Sequence, residues 1–273
     1  MLIAITRPPT ESIADCQLTH IGRDPIDVKL AIEQHKEYRE LLAELGAEVV
    51  TLDPLDEHPD AVFVEDAVIT LDEVAILCRM GAPTRRNETN NLEPIIAAYR
   101  QTHRMTEPAM LEGGDVIGAG RTLFVGKSTR TNDEGANQLR AFTESLGYNV
   151  VQVDVTGCLH LSTGASYLGD GVILANPEWI DASAFEGFDV IHVEQGDPWA
   201  ANTMSVNGVI VMPESSPATA AMLNERGYTV RTVDISELMK AEGSMTCMRQ
   251  LFTRQPAPSK AKTQGGAHTT AQA

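Results

Sequence analysis

A repeated pattern of helix, glycine and strand limits the folds open to this 273-residue chain more than any other feature of its sequence. In each copy a helical stretch ends at a glycine, and an alternating, half-buried strand follows. Three clear copies, whose strands end at an aspartate, span residues 42–53, 142–154 and 222–234. A weaker copy spans residues 185–193. The glycines of the later copies are 40 residues apart, whereas Gly46 and Gly147 are 101 apart. That interval has room for a degenerate unit near residues 97–106, so the sequence predicts five units.

A second pattern, a pair of short apolar strands around a turn, follows four of these units, as expected for β-hairpins. The four predicted pairs span residues 62–78, 115–125, 165–175 and 203–212. The fifth pair lacks its partner, because a candidate strand at residues 245–252 stands last and another at residues 2–6 stands first. We expect the first strand to complete the sheet of the last and thereby to close a ring.

Five units and complementary chain ends favour an α/β fold, a five-bladed α/β propeller closed by the N- and C-terminal strands. A doubly wound sheet of βαβ units is the competing interpretation, but the strand pairs resemble hairpins rather than crossovers. We expect residues 1–254 to form a single catalytic domain. Residues 255–273 are rich in Pro, Ser, Thr, Gln and Ala without apolar periodicity, which predicts a disordered tail.

The charge balance narrows the class of partner. Asp and Glu number 38 against 21 Lys and Arg, which gives a net charge of -17. This charge opposes binding to nucleic acid or anionic lipid and favours a small cationic substrate. The apolar run before Arg7 is too short for a signal peptide, and no segment approaches the about 18 apolar residues of a membrane span. We therefore expect a soluble, cytoplasmic protein, either a monomer or a homodimer.

The four cysteines lie far apart and form no C-x-x-C pair, which argues against a zinc ribbon and against a thioredoxin-type motif. Cys158 and His160 are two residues apart but have no second pair of ligands, so no metal site is predicted. Taken alone, Cys247 is better explained as a small buried side chain in the core, because a free cysteine packs as a small hydrophobe.

Polar residues open each predicted hairpin, and equivalent positions of a ring of blades converge on its centre. They supply carboxylates, an imidazole and a thiol, from Glu65, Asp66, Glu112, Asp115, Cys158, His160, Asn202 and Cys247. Each could be structural, since Gly-Gly-Asp forms turns and a histidine between leucines is often part of a core. The combination instead indicates one kind of chemistry, the attack of a thiolate on the cationic carbon of a guanidinium.

Each residue type has a role in that reaction. Two carboxylates can hold the planar N–H fork of a guanidinium, and a histidine can protonate the departing amine and then activate water. The thiol requires a lowered pKa, and the bound cation itself places positive charge beside it.

The same residues carry a resemblance to a known family. Its motifs here include residues 60–66, Gly81-Ala82-Pro83-Thr84-Arg85-Arg86, Leu111-Glu112-Gly113-Gly114-Asp115, residues 124–132, Leu159-His160-Leu161, and Glu242-Gly243 followed by Thr246-Cys247. With these six motifs in this order, the chain resembles the dimethylarginine dimethylaminohydrolase family of the guanidino-group modifying, pentein-fold enzymes. The resemblance extends along the chain to about Phe252.

The resemblance implies a five-bladed propeller that hydrolyses Nω-methylated arginine to citrulline and a methylamine without metal or cofactor. It implies that Cys247 is the nucleophile, His160 the general acid and base, and that Glu112 and Asp66 hold the guanidinium. It further assigns substrate binding to Asp60, Glu65, Arg85 and Arg130, with the arginines on the α-carboxylate, and places Leu18 on a mobile lid.

The sequence departs from the family pattern at two places, with Ser162 where a lysine is expected and Gly243-Ser244-Met245 before the cysteine. Two alternatives stay open. A deiminase or another guanidine hydrolase would use identical chemistry on arginine or agmatine. A non-catalytic propeller that binds ribosomes would share the fold, but the joint presence of Glu112, His160 and Cys247, and the negative charge, argue against it.

Overall fold

Fifteen short strands form five three-stranded sheets in the computed structural model, which describes residues 1–255. The strands are β1 (Leu2–Thr6), β2 (Ala47–Thr51), β3 (Val68–Thr70), β4 (Val74–Leu77), β5 (Gln101–Arg104), β6 (Val116–Ala119), β7 (Thr122–Lys127), β8 (Asn149–Asp154), β9 (Ala165–Gly169), β10 (Val172–Ala175), β11 (Asp189–His192), β12 (Met204–Val206), β13 (Val209–Pro213), β14 (Thr229–Val233) and β15 (Gln250–Thr253). The helices are α1 (Val28–Glu44), α2 (Glu88–Ile96), α3 (Asp133–Thr143), α4 (Leu161–Gly164), α5 (Pro217–Glu225) and α6 (Ser236–Met239).

Every sheet has the same topology. In four of them two antiparallel strands form a hairpin, and the third strand runs parallel to the second after a crossover connection. In the sheet β15-β1-β2 the antiparallel pair joins strands from distant parts of the chain instead of a hairpin. We number the sheets as blades 1 to 5, which contain β3-β4-β5, β6-β7-β8, β9-β10-β11, β12-β13-β14 and β15-β1-β2. The predicted five-bladed α/β propeller is therefore confirmed.

The first and last strands of residues 1–255 meet in blade 5. Strand β1 pairs antiparallel with β15, from Leu2 opposite Thr253 to Ile5 opposite Gln250. The same strand pairs parallel with β2, so the N-terminal strand is the central strand of the last blade. The predicted closure of the ring is confirmed.

The glycines of the repeat have the backbone conformation that their position requires. Gly147 has φ +83° and Gly227 has φ +92°, which is the left-handed conformation that ends a helix before a strand. Gly46 and Gly187 adopt the same conformation, with φ +87° each. The degenerate unit follows α2 without such a glycine, which explains why its pattern is weak in the sequence.

The predicted strand at residues 245–252 is wrong in its first half. Strand β15 begins only at Gln250, and Cys247 lies in a turn before it. The backbone of this turn is bound by other blades, because the Thr246 N–H donates to Asn202 and the Cys247 carbonyl accepts from the Glu65 N–H. The first hairpin is likewise shorter than predicted, because consecutive turns occupy the residues before Val68.

Helix α1 connects the apolar core to the segment that carries Cys247. Tyr38 on this helix is fully buried, and its hydroxyl donates to the Met245 carbonyl at 2.8 Å. On the other side of the ring, Phe124 packs edge-on against Phe185, with ring centroids 4.9 Å apart. These contacts fix the blades around the centre of the ring.

Three further sequence predictions concern membrane spans, the C-terminal tail and the domain bounds. None of the helices within residues 1–255 is long and apolar enough to cross a lipid bilayer. The predicted disordered tail, from residue 256 onward, lies outside the described residues. The assignment of residues 1–254 to a single domain stays a prediction.

Gly113 generates a testable prediction, because it lies directly against the backbone that precedes blade 1. Its N–H donates to the Asp66 carbonyl at 2.8 Å, and a Cβ there would lie 2.0 Å from the Glu65 carbonyl oxygen. We expect Gly113→Ala to lower the free energy of unfolding by about 1–3 kcal/mol, measured by urea denaturation, because backbone must shift. The control is Gly118→Ala, where a Cβ would have only Leu123 at 3.7 Å. Equal midpoints for the two variants would contradict this prediction.

Candidate active site

The polar residues that open blades 1, 2 and 3 meet at the centre of the ring. His160 precedes the short helix α4 and is almost fully buried. Its Nε2 atom lies 2.8 Å from Oε2 of Glu112, and its Nδ1 atom lies 3.7 Å from Oδ1 of Asp66. The imidazole therefore lies between carboxylates from two other blades.

The openings of blades 4 and 5 join the same centre through Asn202. Its side chain accepts the Thr246 N–H at 3.0 Å and donates to the Thr246 hydroxyl and to the Ser162 carbonyl. The Thr246 hydroxyl in turn donates to Glu65 at 2.7 Å. Asn202 thus fixes the residue that directly precedes Cys247.

A small cavity lies between these groups. Its volume is about 20 Å³, space for about one water molecule. It is lined by Cys247 and His160, by the acids Asp60, Asp66 and Glu242, by the arginines Arg85 and Arg130, and by Gln17, Phe63, Leu159 and Ala241. The structure therefore brings the predicted nucleophile, base, one guanidinium-holding acid and three of the predicted substrate-binding residues to one cavity.

The charges around His160 favour its protonated form. Burial lowers the pKa of His160, but the charge of Asp66 and the hydrogen bond to Glu112 outweigh it and raise this pKa to about 9. Burial raises the pKa of Glu112, but the hydrogen bond and charge of His160 outweigh this effect and hold the pKa of this carboxyl well below its ordinary value. Before substrate binds, the pair is an imidazolium and a carboxylate at neutral pH.

The Cys247 thiol has the opposite environment. Burial raises its pKa far above the ordinary value, and the negative charges of Glu65 and Asp66 raise it further, while Arg249 partly opposes them. At neutral pH the free site therefore holds a protonated thiol. A cation placed in the cavity would favour the thiolate, since opposite charge nearby stabilises the ionised form.

Arg85 organises the acidic side of the cavity. Its Nη1 atom donates to Asp66 Oδ2 at 2.7 Å, and its Nε and Nη2 atoms bind the carboxylate of Glu88. The Nη2 atom also donates to the backbone carbonyls of Asp60 and Phe63 at 3.2 Å. These bonds hold Asp66 in place and compensate its buried charge.

Arg130 contacts Glu112, the second carboxylate beside His160. Its Nη1 atom is 3.4 Å from both oxygens of Glu112, and its Nη2 atom donates to the Thr19 hydroxyl at 3.2 Å. Asp60 lies nearby and accepts the Gln17 N–H at 3.1 Å. Burial raises the pKa of Asp60, although Arg85 partly opposes this effect.

Glu65 is separated from this cavity, although its neighbour Asp66 lines it. Its carboxylate binds Arg249 at 3.1 Å and lines a larger cavity of about 390 Å³ elsewhere in the ring. Ser162, the residue found where a lysine was expected, donates to the same carboxylate at 3.4 Å. Arg249 therefore supplies the positive charge beside Glu65.

Leu18 does not line the cavity but belongs to the segment of residues 17–21, which we call the lid segment. Its half-buried side chain packs against the apolar cluster that contains Cys247. The lid segment is held by hydrogen bonds from its backbone N–H groups to Asp60 and Glu242.

One positioning residue, Asp115, received no role from the sequence. Asp115 is fully buried and accepts hydrogen bonds from the Leu161 N–H and from the hydroxyls of Ser128 and Thr131. It thereby fixes the backbone next to His160. Its place directly after Gly113-Gly114 was the available signal, but such a triplet is equally typical of an ordinary turn.

Asp66, Glu112 and His160 also have the composition of a metal site, since one potential ligand atom from each lies within 4.8 Å of the others. Their atoms are hydrogen-bonded to one another or to neighbouring donors, and the Arg85 guanidinium lies 2.7 Å from Asp66. These contacts favour an organic cation over a metal ion as the positive charge in the site.

Comparisons with known proteins agree with this geometry. A family model described as "N,N dimethylarginine dimethylhydrolase, eukaryotic" matches residues 14–252. An N(G),N(G)-dimethylarginine dimethylaminohydrolase of Streptomyces coelicolor is 39% identical over 248 residues, which cover 90% of this chain and 95% of that protein.

Solved structures of dimethylarginine dimethylaminohydrolases are also similar to this chain. A cysteine-to-serine mutant of the Pseudomonas aeruginosa enzyme complexed with citrulline has a TM-score of 0.87, with 34% identity, 91% of this chain covered and 98% of that chain. A dimethylarginine dimethylaminohydrolase histidine-to-glycine mutant, solved as an adduct with S-methyl-L-thiocitrulline, also has a TM-score of 0.87, with 34% identity, 92% of this chain covered and all of that chain. The chain therefore belongs to the dimethylarginine dimethylaminohydrolase family.

Proposed function

We propose that this protein hydrolyses Nω-methylated arginine to citrulline and methylamine or dimethylamine, with Cys247 as the covalent nucleophile. The observation that carries the proposal is the shared cavity of Cys247, His160 and Asp66, with Glu112 hydrogen-bonded behind the imidazole. The citrulline complex and the thiocitrulline adduct of the related enzymes support the same substrate class.

The first half-reaction forms a bond between Cys247 Sγ and the guanidinium carbon, which Asp66 and Glu112 hold. The thiol releases its proton to solvent when the cation binds, because positive charge nearby stabilises the thiolate and His160 is already protonated. The imidazolium of His160 then gives its proton to the methylated nitrogen, the C–N bond breaks, and the amine leaves. The product is an S-alkylthiouronium on Cys247.

The second half-reaction uses the histidine in its neutral form. His160 takes a proton from water, and the resulting hydroxide adds to the thiouronium carbon. Collapse of this tetrahedral species breaks the C–S bond, releases citrulline and restores Cys247. The overall balance is one water consumed and one amine released, so the residues of this chain and water suffice.

The remaining cavity residues bind the amino-acid end of the substrate in this proposal. Arg130, whose Nη2 atom donates to the Thr19 hydroxyl of the lid segment, takes the α-carboxylate, while Asp60 accepts the α-ammonium group. Arg85 acts through Asp66, because its donors are engaged with Asp66, Glu88 and backbone carbonyls. Leu18 covers the site from the lid segment, and Glu65 acts from behind Cys247 through Thr246.

Incubation with arginine, monomethylarginine and asymmetric dimethylarginine tests the proposal. We expect citrulline together with methylamine or dimethylamine from the methylated substrates, and an acid-quenched protein that carries the thiouronium mass on Cys247. Cys247→Ser should lower kcat by roughly 10³-fold or more. The matched control is Cys78→Ala, because Cys78 is also buried, packs in an apolar cluster and does not line the catalytic cavity.

Three outcomes would contradict it. Release of ammonia from arginine alone would identify a deiminase with the same chemistry. Retained activity in Cys247→Ser would exclude covalent catalysis, and an inert Cys247 in the presence of every substrate would favour a non-catalytic propeller.

The pH dependence follows from the order of the two pKa values. The free site holds protons on both His160 and Cys247, whereas the reactive arrangement of imidazolium and thiolate has one proton fewer. Because the raised pKa of His160, about 9, is the lower of the two, we expect kcat/KM to rise with pH up to about 9. Initial rates measured from pH 6 to 10.5 test this.

Glu112→Gln should move that rise toward lower pH. The substitution removes the hydrogen-bonded carboxylate that raises the pKa of His160, and an opposite charge at this distance is worth about 1–3 pKa units. We expect the midpoint to fall by about one unit, together with a lower maximal rate. An unchanged midpoint would show that another group controls the profile.

A further inference from the structure

The carboxylate of Glu242 holds the lid segment against the catalytic cavity. Its Oε2 atom accepts the Thr19 N–H at 2.6 Å, and its Oε1 atom accepts the N–H groups of His20 at 2.6 Å and Ile21 at 3.1 Å. Successive backbone N–H groups of this kind form a concave binding site for an anion. Here a side chain from the distant end of the chain is the anion, so a single group accepts three bonds from the lid segment.

The backbone of Glu242 has a conformation that its residue type disfavours. Its φ is +56°, in the left-handed region. The other two non-glycine residues with positive φ among residues 1–255 are Asp170 and Asn207, which lie in two-residue hairpin turns where this conformation is usual. Glu242 lies in no hairpin, and such a conformation persists only where the surrounding contacts enforce it.

The residue after Glu242 shows one such contact. A Cβ at Gly243 would lie 2.1 Å from the Phe63 ring, which lines the catalytic cavity. The chain therefore passes close to the cavity wall at Gly243 and turns at Glu242 toward the lid segment. Both features direct the carboxylate at the three N–H groups.

The lid segment is closed in this arrangement. Gln17 and Glu242 both line the cavity, which has space for about one water molecule. Substrate entry therefore requires movement of the residues around the cavity. Of the hydrogen bonds that hold the lid segment, those to Glu242 are the most numerous. Asp60 accepts one further N–H, Arg130 donates to the Thr19 hydroxyl, and the Gln17 side chain donates to Thr84.

We propose that Glu242 is the latch of the lid segment, a positioning residue that stabilises the closed state and limits how often the site opens. The latch consists of charge-assisted hydrogen bonds, which are stronger than neutral ones. Its effect on turnover rests on the proposed function, whereas its effect on the opening of the lid segment does not.

Hydrogen exchange of the amides of Thr19, His20 and Ile21 tests the latch directly. We expect exchange in the peptide that contains them to be about 10-fold faster in Glu242→Ala, and faster by a smaller factor in Glu242→Gln, which retains one acceptor oxygen. The control is Asp197→Asn, because Asp197 is a buried carboxylate that accepts the Thr219 N–H at 2.7 Å in blade 4. This control should leave the lid peptide unchanged.

Peptides from β8 serve as an internal reference, so that faster exchange in the lid segment is distinguished from global unfolding. If Glu242→Ala does not fold, Glu242→Gln alone decides. Equal exchange of the lid peptide in wild type, Glu242→Gln and Asp197→Asn would overturn the proposal.

Two further measurements separate the latch from the proposed function. Alkylation of Cys247 by iodoacetamide at fixed pH should become about 10-fold faster in Glu242→Ala, since the reagent enters only when the site is open. KM for a methylated arginine should rise at least about 5-fold, with a smaller change in kcat, because the closed complex is weaker. If the wild type hydrolyses no methylated arginine, the proposed function fails, but exchange and alkylation still decide the latch.

Discussion

The pairing of β1 with β15 determines where the reactive groups lie, because it converts a linear series of five units into a ring. In every blade the polar residues precede the first strand of the antiparallel pair, so they reach the same place only if the blades surround one axis. Strand β1 lies between β15 and β2 and supplies the partner that the last blade lacks. Without this pairing, the turn that carries Cys247 would lose the β15 ladder that anchors it, although Tyr38 and Asn202 also bind its neighbours.

Closure brings many charges into a space from which water is largely excluded, and the structure compensates each of them differently. Unpaired buried ions are destabilising by several kcal/mol, roughly, so every carboxylate at the centre has a cationic or N–H partner. Asp66 is bound by Arg85, Glu112 by His160, and Glu65 by Arg249. These pairings decide which groups carry protons, and they leave the thiol as the one reactive group that the free site keeps neutral.

The repeat predicted the fold because glycine-ended helices and hairpins are local features with a definite period. It also predicted that the hairpin openings converge, which is why Asp66, Glu112 and His160 could be grouped before their contacts were known. Strand bounds near Cys247 could not be predicted in this way, because that backbone is bound by a side chain and an N–H from other blades. Local sequence contains no information on such distant partners.

The direction in which each side chain points was the second feature that the sequence could not predict. Glu65 and Asp66 are adjacent and chemically alike, yet one lines the catalytic cavity and the other pairs with Arg249. The choice follows from the turn that both occupy. The absence of a lysine at Ser162 is explained only by that same contact, since Arg249 lies 87 residues further along the chain and provides the charge beside Glu65.

The protonated thiol and the closed lid segment have one consequence in common: both limit reactivity in the absence of substrate. The thiol is protonated, and so reacts slowly, until a cation offsets the field of Glu65 and Asp66, and the closed lid segment limits access to it. A neutral electrophile of similar size would lack the charge that forms the thiolate, even if the lid segment admitted it. A guanidinium supplies that charge at the carbon to be attacked, so recognition of the substrate and activation of the nucleophile are the same electrostatic event.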